Sequence, residues 1–283
     1  MIRKLGIILE MIKFEHTIFA LPFAMISMLV ASNGSPHVRT LCWILVAMAG
    51  ARSAAMAFNR IADARIDAAN PRTQSRAIPA GLVSTGAAWL FVAVAAGLLV
   101  LAAYEINPLA FALSPVALLV VMGYSYSKRF TSLSHLWLGL SLGIAPVGAW
   151  IAVTGKIEFA SMVLSAAVMM WTAGFDVIYS LQDVDFDRRS GLHSLPSRLG
   201  PARALMVSRL LHACMVALLV WFGWLCHLGM VYYVGSALVA GFLVYEQSLV
   251  SAKDFSRVNV AFFNLNGCVS IALLIFAAAD LYL

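Results

Sequence analysis

Charge is scarce in this chain. Of its 283 residues only 11% are Asp, Glu, Lys or Arg, and 62% are hydrophobic, with a mean hydropathy of +0.90. Soluble globular domains carry about 25% charged residues, so an ordinary water-soluble domain is excluded and a polytopic membrane protein is expected. Cysteine is also sparse. The four present, Cys42, Cys214, Cys226 and Cys268, sit in apolar stretches without paired spacing. That excludes a disulfide framework or a zinc site and leaves them as small buried hydrophobes. No cleavable leader is expected, because a mixed-charge stretch precedes the first apolar segment and no small-residue cleavage pattern follows it.

What is present is a series of apolar runs of crossing length. Nine are expected, at 14–32, 41–62, 84–104, 108–126, 133–153, 159–181, 204–225, 229–248 and 260–281, separated by Gly-, Ser- and Pro-containing breaks. Small residues such as Gly139 and Gly143 inside them favour close helix packing. With the N-terminus placed in the cytoplasm, sixteen of the 19 Lys and Arg residues fall on the inner side, Arg39 and Lys156 fall outside, and Arg52 lies within the second run. This asymmetry follows the positive-inside rule and fixes the orientation.

Two stretches break the apolar pattern, and both are expected at cytoplasmic helix ends. The first, NRIADARIDAANPRTQSRAIPAG, spaces Asn59, Asp63 and Asp67 four residues apart; the second, DVIYSLQDVDFDRRSGLHSLPSRLG, spaces Tyr179, Asp183 and Asp187 likewise, 120 residues later. Four-residue spacing stacks side chains on one helix face, giving a column about 12 Å long at about 1.5 Å rise per residue. Four carboxylates at one membrane face repel one another unless a cation lies between them. Hard oxygen ligands suit Mg²⁺, which prefers to be shared with substrate phosphates. The basic residues that follow, together with Lys128 and Arg129, suit phosphate oxygens. A diphosphate site is the reading.

The motifs Asn-x-x-x-Asp-x-x-x-Asp and Tyr-x-x-x-Asp-x-x-x-Asp resemble those of the UbiA superfamily of intramembrane aromatic prenyltransferases, and the resemblance covers nearly the whole chain. It implies one domain over 1–283, an all-α bundle of nine transmembrane helices around a central cavity with a cytoplasmic polar cap and a lateral opening to lipid. It also implies Mg²⁺-dependent transfer of a prenyl chain from a polyprenyl diphosphate to an aromatic acceptor. By the resemblance Asp63, Asp67, Asp183 and Asp187 hold metal and diphosphate, Asn59 is a polar contact beside them, and Arg72, Arg76 and Lys128 are diphosphate ligands. Asp176 and Tyr179 match positions within two turns before Asp183; Asp185, off the column, ranks second. An arginine inside a span is costly and marks function. Arg52 lies seven residues before Asn59, about 10 Å deeper on the same face. The resemblance implies that it contacts the carboxylate of an aromatic acid, against the alternative of a structural pair with Glu246. The acceptor would be 4-hydroxybenzoate, or 1,4-dihydroxy-6-naphthoate if the stretch MIKFEHTIFALPFAM from Met11 to Met25 marks the futalosine-route subgroup of menaquinone synthesis.

In this mechanism Tyr179, Tyr124, Tyr126 and Phe175 are candidate cation-stabilising rings, and Asp176 is a candidate base for the ring proton. Glu15 and His16 are candidates to close the cap, and His193 to touch diphosphate. His37, His135, His212 and His227 are expected in surface or packing roles, and Asn264 and Asn266 bonding to neighbouring helices. The partners expected are the two substrates and the lipid of a bacterial cytoplasmic (inner) membrane, with the active site on the cytoplasmic side, no nucleic acid and no obligate protein partner. Two rivals compete. A CDP-alcohol-type phosphatidyltransferase needs its acidic motifs close together. A cation-coupled transporter needs ionisable groups at the bilayer midplane in broken helices.

Overall fold

A computed structural model describes residues 17–283 of the chain, so Glu15, His16 and the stretch from Met11 to His16 lie outside the described residues. The long helices are α1 (Thr17–Ala31), α2 (Val38–Ala62), α4 (Thr85–Ile106), α5 (Pro108–Ser127), α6 (Ser134–Thr154), α7 (Phe159–Ser180), α10 (Pro201–Leu225), α11 (Met230–Ser248) and α12 (Asn266–Tyr282). Short helices α3 (Ala64–Ala69), α8 (Val184–Arg189) and α9 (Leu195–Leu199) interrupt them. No strand forms among the described residues. That is the expected outcome in hydrocarbon, where a helix satisfies every backbone group within its own segment.

Among the described residues, six runs are long and apolar enough to cross a membrane: α2, α4, α5, α6, the stretch Phe159–Arg189, and α10. The chain is a membrane protein. The stretch beginning with α7 is the central pillar, since 72% of its most apolar window is buried against 17–33% in the other five. Its Trp171, Phe175, Leu164 and Val168 join Phe23 of α1, Phe222 of α10 and Tyr232 of α11 in the main core. The peripheral helices turn large apolar side chains outward, among them Leu90, Leu119, Met206, Trp224 and Val244, as a lipid-facing belt requires.

Local chemistry sets the helix ends. Ser84 accepts the Ala87 N–H, and Asn107 accepts the Ala110 N–H with Pro108 following it, both N-cap arrangements. Gly155, at φ 69°, ends α6 in the left-handed conformation that glycine tolerates. The small residues of α6 seat it on α7: a Cβ added at Gly143 would stand 2.9 Å from the Ser165 carbonyl oxygen.

The cysteine expectation is corrected. Cys42, Cys214 and Cys268 are exposed on the bundle surface, Cys226 is half-buried, and all four are unpaired thiols. A side chain facing lipid is in an apolar medium without being covered by protein.

Candidate active site

Both acidic motifs bend at their middle aspartate. Helix α2 ends at Ala62 and α3 starts at Ala64, leaving Asp63 at φ −95°, ψ 5°. In the second motif α7 gives way to a 3₁₀ turn, Leu181–Asp183, and Asp183 stands at φ −106°, ψ 5° before α8. This sparsely populated bridge region is where many active-site residues sit. The expectation of one straight column on each helix is therefore corrected. The backbone turns about Asp63 and Asp183, and the third member of each motif is carried on a separate short helix.

The mutual repulsion expected of four carboxylates is relieved by guanidinium groups. Arg76 Nη1 reaches both oxygens of Asp67 at 2.7 and 2.8 Å. Arg72 crosses from the first motif's loop to the second motif, donating from Nε (2.9 Å) and Nη2 (2.5 Å) to the two oxygens of Asp183, and from Nη1 to the Tyr179 hydroxyl at 3.1 Å. Such forked pairing is what Arg offers and Lys does not. Asp63 accepts from Asn59 Nδ2 at 2.8 Å and lies 3.4 Å from Arg129, whose Nη2 also donates to the Ala62 carbonyl. Lys128 stands near enough for its charge to act on both Asp183 and Asp187. Asp187 is buried, and its Oδ2 has no hydrogen-bond partner.

Among the described residues no three Asp, Glu, His or Cys side chains form a ready metal cage. The donors nevertheless fit a cation shared with a substrate. Mg²⁺ takes one or two carboxylates and completes its shell with phosphate oxygens and water. Asp187 offers a buried, unused oxygen. The Asp63 carboxyl is pushed above the ordinary carboxylate range, first by burial and then by the negative charge of Asp67. A nearby cation would oppose both effects.

Below the motifs lies a cavity of about 970 Å³. Arg52, Asn59, Arg72, Arg76, Asp176 and Tyr179 all contribute to its wall, with apolar side chains of α2, α5 and α6 elsewhere. The four motif aspartates and Lys128 are not in that wall; Arg76, paired with Asp67, and Arg72, paired with Asp183, are. Helix α2 runs unbroken from Arg52 to Asn59, so Arg52 stands about 10 Å deeper along the axis. Glu246, the alternative partner named for Arg52, accepts from Asn266 at 3.1 Å and faces His212 at 4.0 Å.

Tyr124 and Phe175 line the cavity. Tyr126 does not: it is exposed, meets Phe58 edge-on at 5.8 Å and carries Arg129 over its ring at 4.8 Å, so its candidacy as a cation-stabilising ring is corrected. Asp185 is exposed. His193 is exposed, and its backbone N–H bonds to the Lys128 carbonyl at 2.7 Å. His37 and His227 are exposed as well, while Asn264 is exposed and Asn266 buried.

His135 corrects the sequence reading most clearly. It is fully buried, and its Nδ1 is 2.7 Å from Asp176 Oδ2. Its Nε2 accepts the Leu195 N–H at 3.2 Å, so the ring proton is on Nδ1 and donates to Asp176. Asn70 was also passed over. Its Oδ1 accepts the Arg72 N–H at 2.9 Å, and its Nδ2 donates to Asp183 at 3.3 Å. The Asn-Pro dipeptide of the loop, a turn former, was the available signal.

Residues 20–268 match the UbiA prenyltransferase family. The chain is 32% identical over 241 residues to the 4-hydroxybenzoate octaprenyltransferase of Nitrosococcus oceani, covering 84% of this chain and 83% of that one. It is 33% identical over 243 residues to the protein of the same name from Vibrio cholerae, covering 85% and 84%. Among solved structures it superposes on an apo UbiA homolog from Aeropyrum pernix K1 with a TM-score of 0.86 and 37% identity, covering 94% of this chain and 98% of that one. The fold alone is shared with a UbiA homolog from Archaeoglobus fulgidus bound to GPP and Mg²⁺, at a TM-score of 0.78 and 18% identity over 98% and 100% of the two chains. The two acidic motifs, the helical bundle and the match over most of the length agree: the chain belongs to the UbiA prenyltransferase family.

Proposed function

We propose that this prenyltransferase moves a polyprenyl group from polyprenyl diphosphate to an aromatic acid, 4-hydroxybenzoate or 1,4-dihydroxy-6-naphthoate, with Mg²⁺ as its cofactor. One observation carries the reading. A single cavity has the arginines of the acidic motifs at one end, Arg52 deeper in its wall, and a carboxylate, Asp176, held between α6 and α7. The names of the relatives and the ligands of the Archaeoglobus structure support the same substrate classes.

Asp63, Asp67, Asp183 and Asp187 are the residues that would hold Mg²⁺, with Asn59 beside them, and the ion would supply positive charge against the departing diphosphate. Arg72, Arg76 and Lys128 donate to the diphosphate oxygens and stabilise the charge that develops as the allylic C–O bond breaks. The bonding electrons leave with diphosphate, and the prenyl cation remains in the apolar cavity, where exclusion of water prevents its capture as an alcohol. Tyr179, Tyr124 and Phe175 line that space as candidate cation-stabilising rings. Arg52 grips the acceptor's carboxylate and presents the hydroxyl-activated ring. A ring carbon attacks the cation, and Asp176, oriented by His135, takes the displaced ring proton.

The chain works as one domain over 1–283. We take α1, α2, α4, α5, α6, α7, α10, α11 and α12 as nine spans, with the N-terminus and the polar cap at the cytoplasmic face of a bacterial inner membrane, on the strength of the Lys and Arg asymmetry. The test is to give purified protein Mg²⁺, an allylic diphosphate and each acid in turn, and to identify products by mass spectrometry. One prenylated acid and stoichiometric diphosphate are expected. Absence of prenylated product and of diphosphate with both acids would refute the assignment.

A further inference from the structure

Helix α12 is entered through a π turn, Val260–Leu265. Such turns are rare, are not favoured by the sequence on their own, and mark functional sites. One side chain closes the change of register. Asn266 is fully buried, and its Nδ2 lies 3.0 Å from the Phe262 carbonyl, 3.2 Å from the Ala261 carbonyl and 3.1 Å from Glu246 Oε1. Two N–H groups serve three acceptors, so one bond is shared. The reversed amide would face three oxygens with a fourth, which fixes its orientation. Glu246, fully buried on α11, is backed by His212 of α10 at 4.0 Å. Gln247 Nε2 lies 3.1 Å from His212 Nδ1 and donates to the Ser208 hydroxyl, which in turn donates to the Gly174 carbonyl of α7. An ionisable side chain buried in a membrane bundle is expensive and marks function by default, and the transfer chemistry above leaves this one unused.

What the π turn delivers to the cavity is Phe262. Its ring centroid is 4.3 Å from that of Tyr179, 5.4 Å from Phe175 and 5.7 Å from Phe19. Tyr179 in turn lies under the Arg72 guanidinium, 5.5 Å from its ring centroid. Contacts thus run from Glu246 through Asn266 and Phe262 to the residues at the diphosphate end. Slippage of the turn by one residue would rotate Phe262 by about 100° around the helix axis, away from Tyr179.

We propose that Asn266 and Glu246 are positioning residues for the transfer step: they lock the π turn so that Phe262 completes an aromatic wall beside the diphosphate end, and the wall steers the prenyl cation to the acceptor instead of to water. This rests on the proposed function. The wall acts in two ways, by presenting ring faces to the cation and by occupying space that water would fill.

The experiment measures how the donor partitions between prenylated acid and free prenyl alcohol, with purified protein, Mg²⁺ and whichever acid the wild type accepts. Phe262→Ala should raise the alcohol fraction about three- to tenfold, the scale of a lost ring–cation contact. Asn266→Ala should raise it similarly, and the double variant no further than the larger single effect, because both act through one ring. Glu246→Gln keeps an acceptor for Asn266 and should keep the wild-type partition, whereas Glu246→Leu should lose it. If Asn266→Ala is recovered unfolded, Asn266→Ser carries the same expectation. A wild-type partition in the Asn266 and Glu246→Leu variants, or additive effects in the double variant, overturns the inference. A wild type that prenylates neither acid sinks the function reading instead.

Discussion

Replacing Arg52 by Ala isolates the acceptor end of the site. The residue projects from an unbroken stretch of α2 into the cavity, about 10 Å below Asn59, too deep for a group held at the diphosphate end. On the proposed function, removing it deletes one charge-assisted contact to the acceptor's carboxylate and leaves the leaving-group end intact. Hydrogen bonds to charged groups contribute about 1.5–3 kcal/mol, so KM for the acid should rise about 10- to 150-fold at 1.4 kcal/mol per decade. If the contact serves substrate and transition state equally, kcat should stay within about threefold. The assay is steady-state prenylation at saturating donor, run twice, once with the acid and once with the same ring lacking its carboxylate. For that second acceptor the wild type and Arg52→Ala should have matching KM values, since the partner of the arginine is already gone. An unchanged KM for the acid, or equal losses with both acceptors, would refute the argument and return Arg52 to a structural part.

Other expectations follow from the same geometry. Asp63→Ala and Asp183→Ala should each reduce turnover by about 10³-fold or more if they anchor the charge stabilisation of the leaving group; Mg²⁺-dependent activity at the wild-type level in a folded variant would reject that part. Chelation with EDTA should stop diphosphate release, and Mg²⁺ should restore it, whereas activity that survives exhaustive chelation would remove the metal from the mechanism. His135→Ala should lower kcat about 10- to 100-fold, a share of what a well-placed base contributes, while His135→Asn, whose amide can reproduce the Nδ1 donor, should recover part of it; a wild-type rate in His135→Ala would detach the imidazole from Asp176's task. Gly143→Ala puts a methyl group 2.9 Å from the Ser165 carbonyl and hydroxyl oxygens, so overpacking of the α6–α7 seam should cost about 1–3 kcal/mol, read as a lower Tm in detergent, and an unchanged Tm would show that the seam yields freely.

Hydropathy and motif spacing carried much of this protein into view, because both are local properties. Helices α2, α4 and α5 start and stop close to their apolar runs, and Asn107–Pro108 announces the start of α5 from four residues of sequence. The recurrence of four-residue spacing at Asp63 and Asp183 was readable for the same reason. The bend at each of those aspartates was not, since nothing in the spacing separates a straight helix from one that breaks and resumes. Partnerships between distant segments were also hidden. His135 and Asp176 are 41 residues apart and meet only because α6 packs on α7, and Arg72 finds Asp183 across 111 residues. Tyr126 was misplaced by its neighbour: Tyr124, two positions earlier on α5, faces the cavity, and two residues turn a helix by about 200°. The π turn before Asn266 has no compositional signature, and its meaning appears only with Glu246 beside it.

The guanidinium pairs at Asp67 and Asp183 bear on the order in which cargo arrives. At rest these carboxylates already have counterions, so a bare dication would have to evict a guanidinium, and a bare anion would have to draw one off and strand an acid. A cation and a diphosphate arriving together can swap partners with both sets at once, leaving no charge exposed at any stage. The cargo proposed for this site would thus meet guanidiniums already seated at Asp67 and Asp183, while the unused oxygen of Asp187 stays open to a cation.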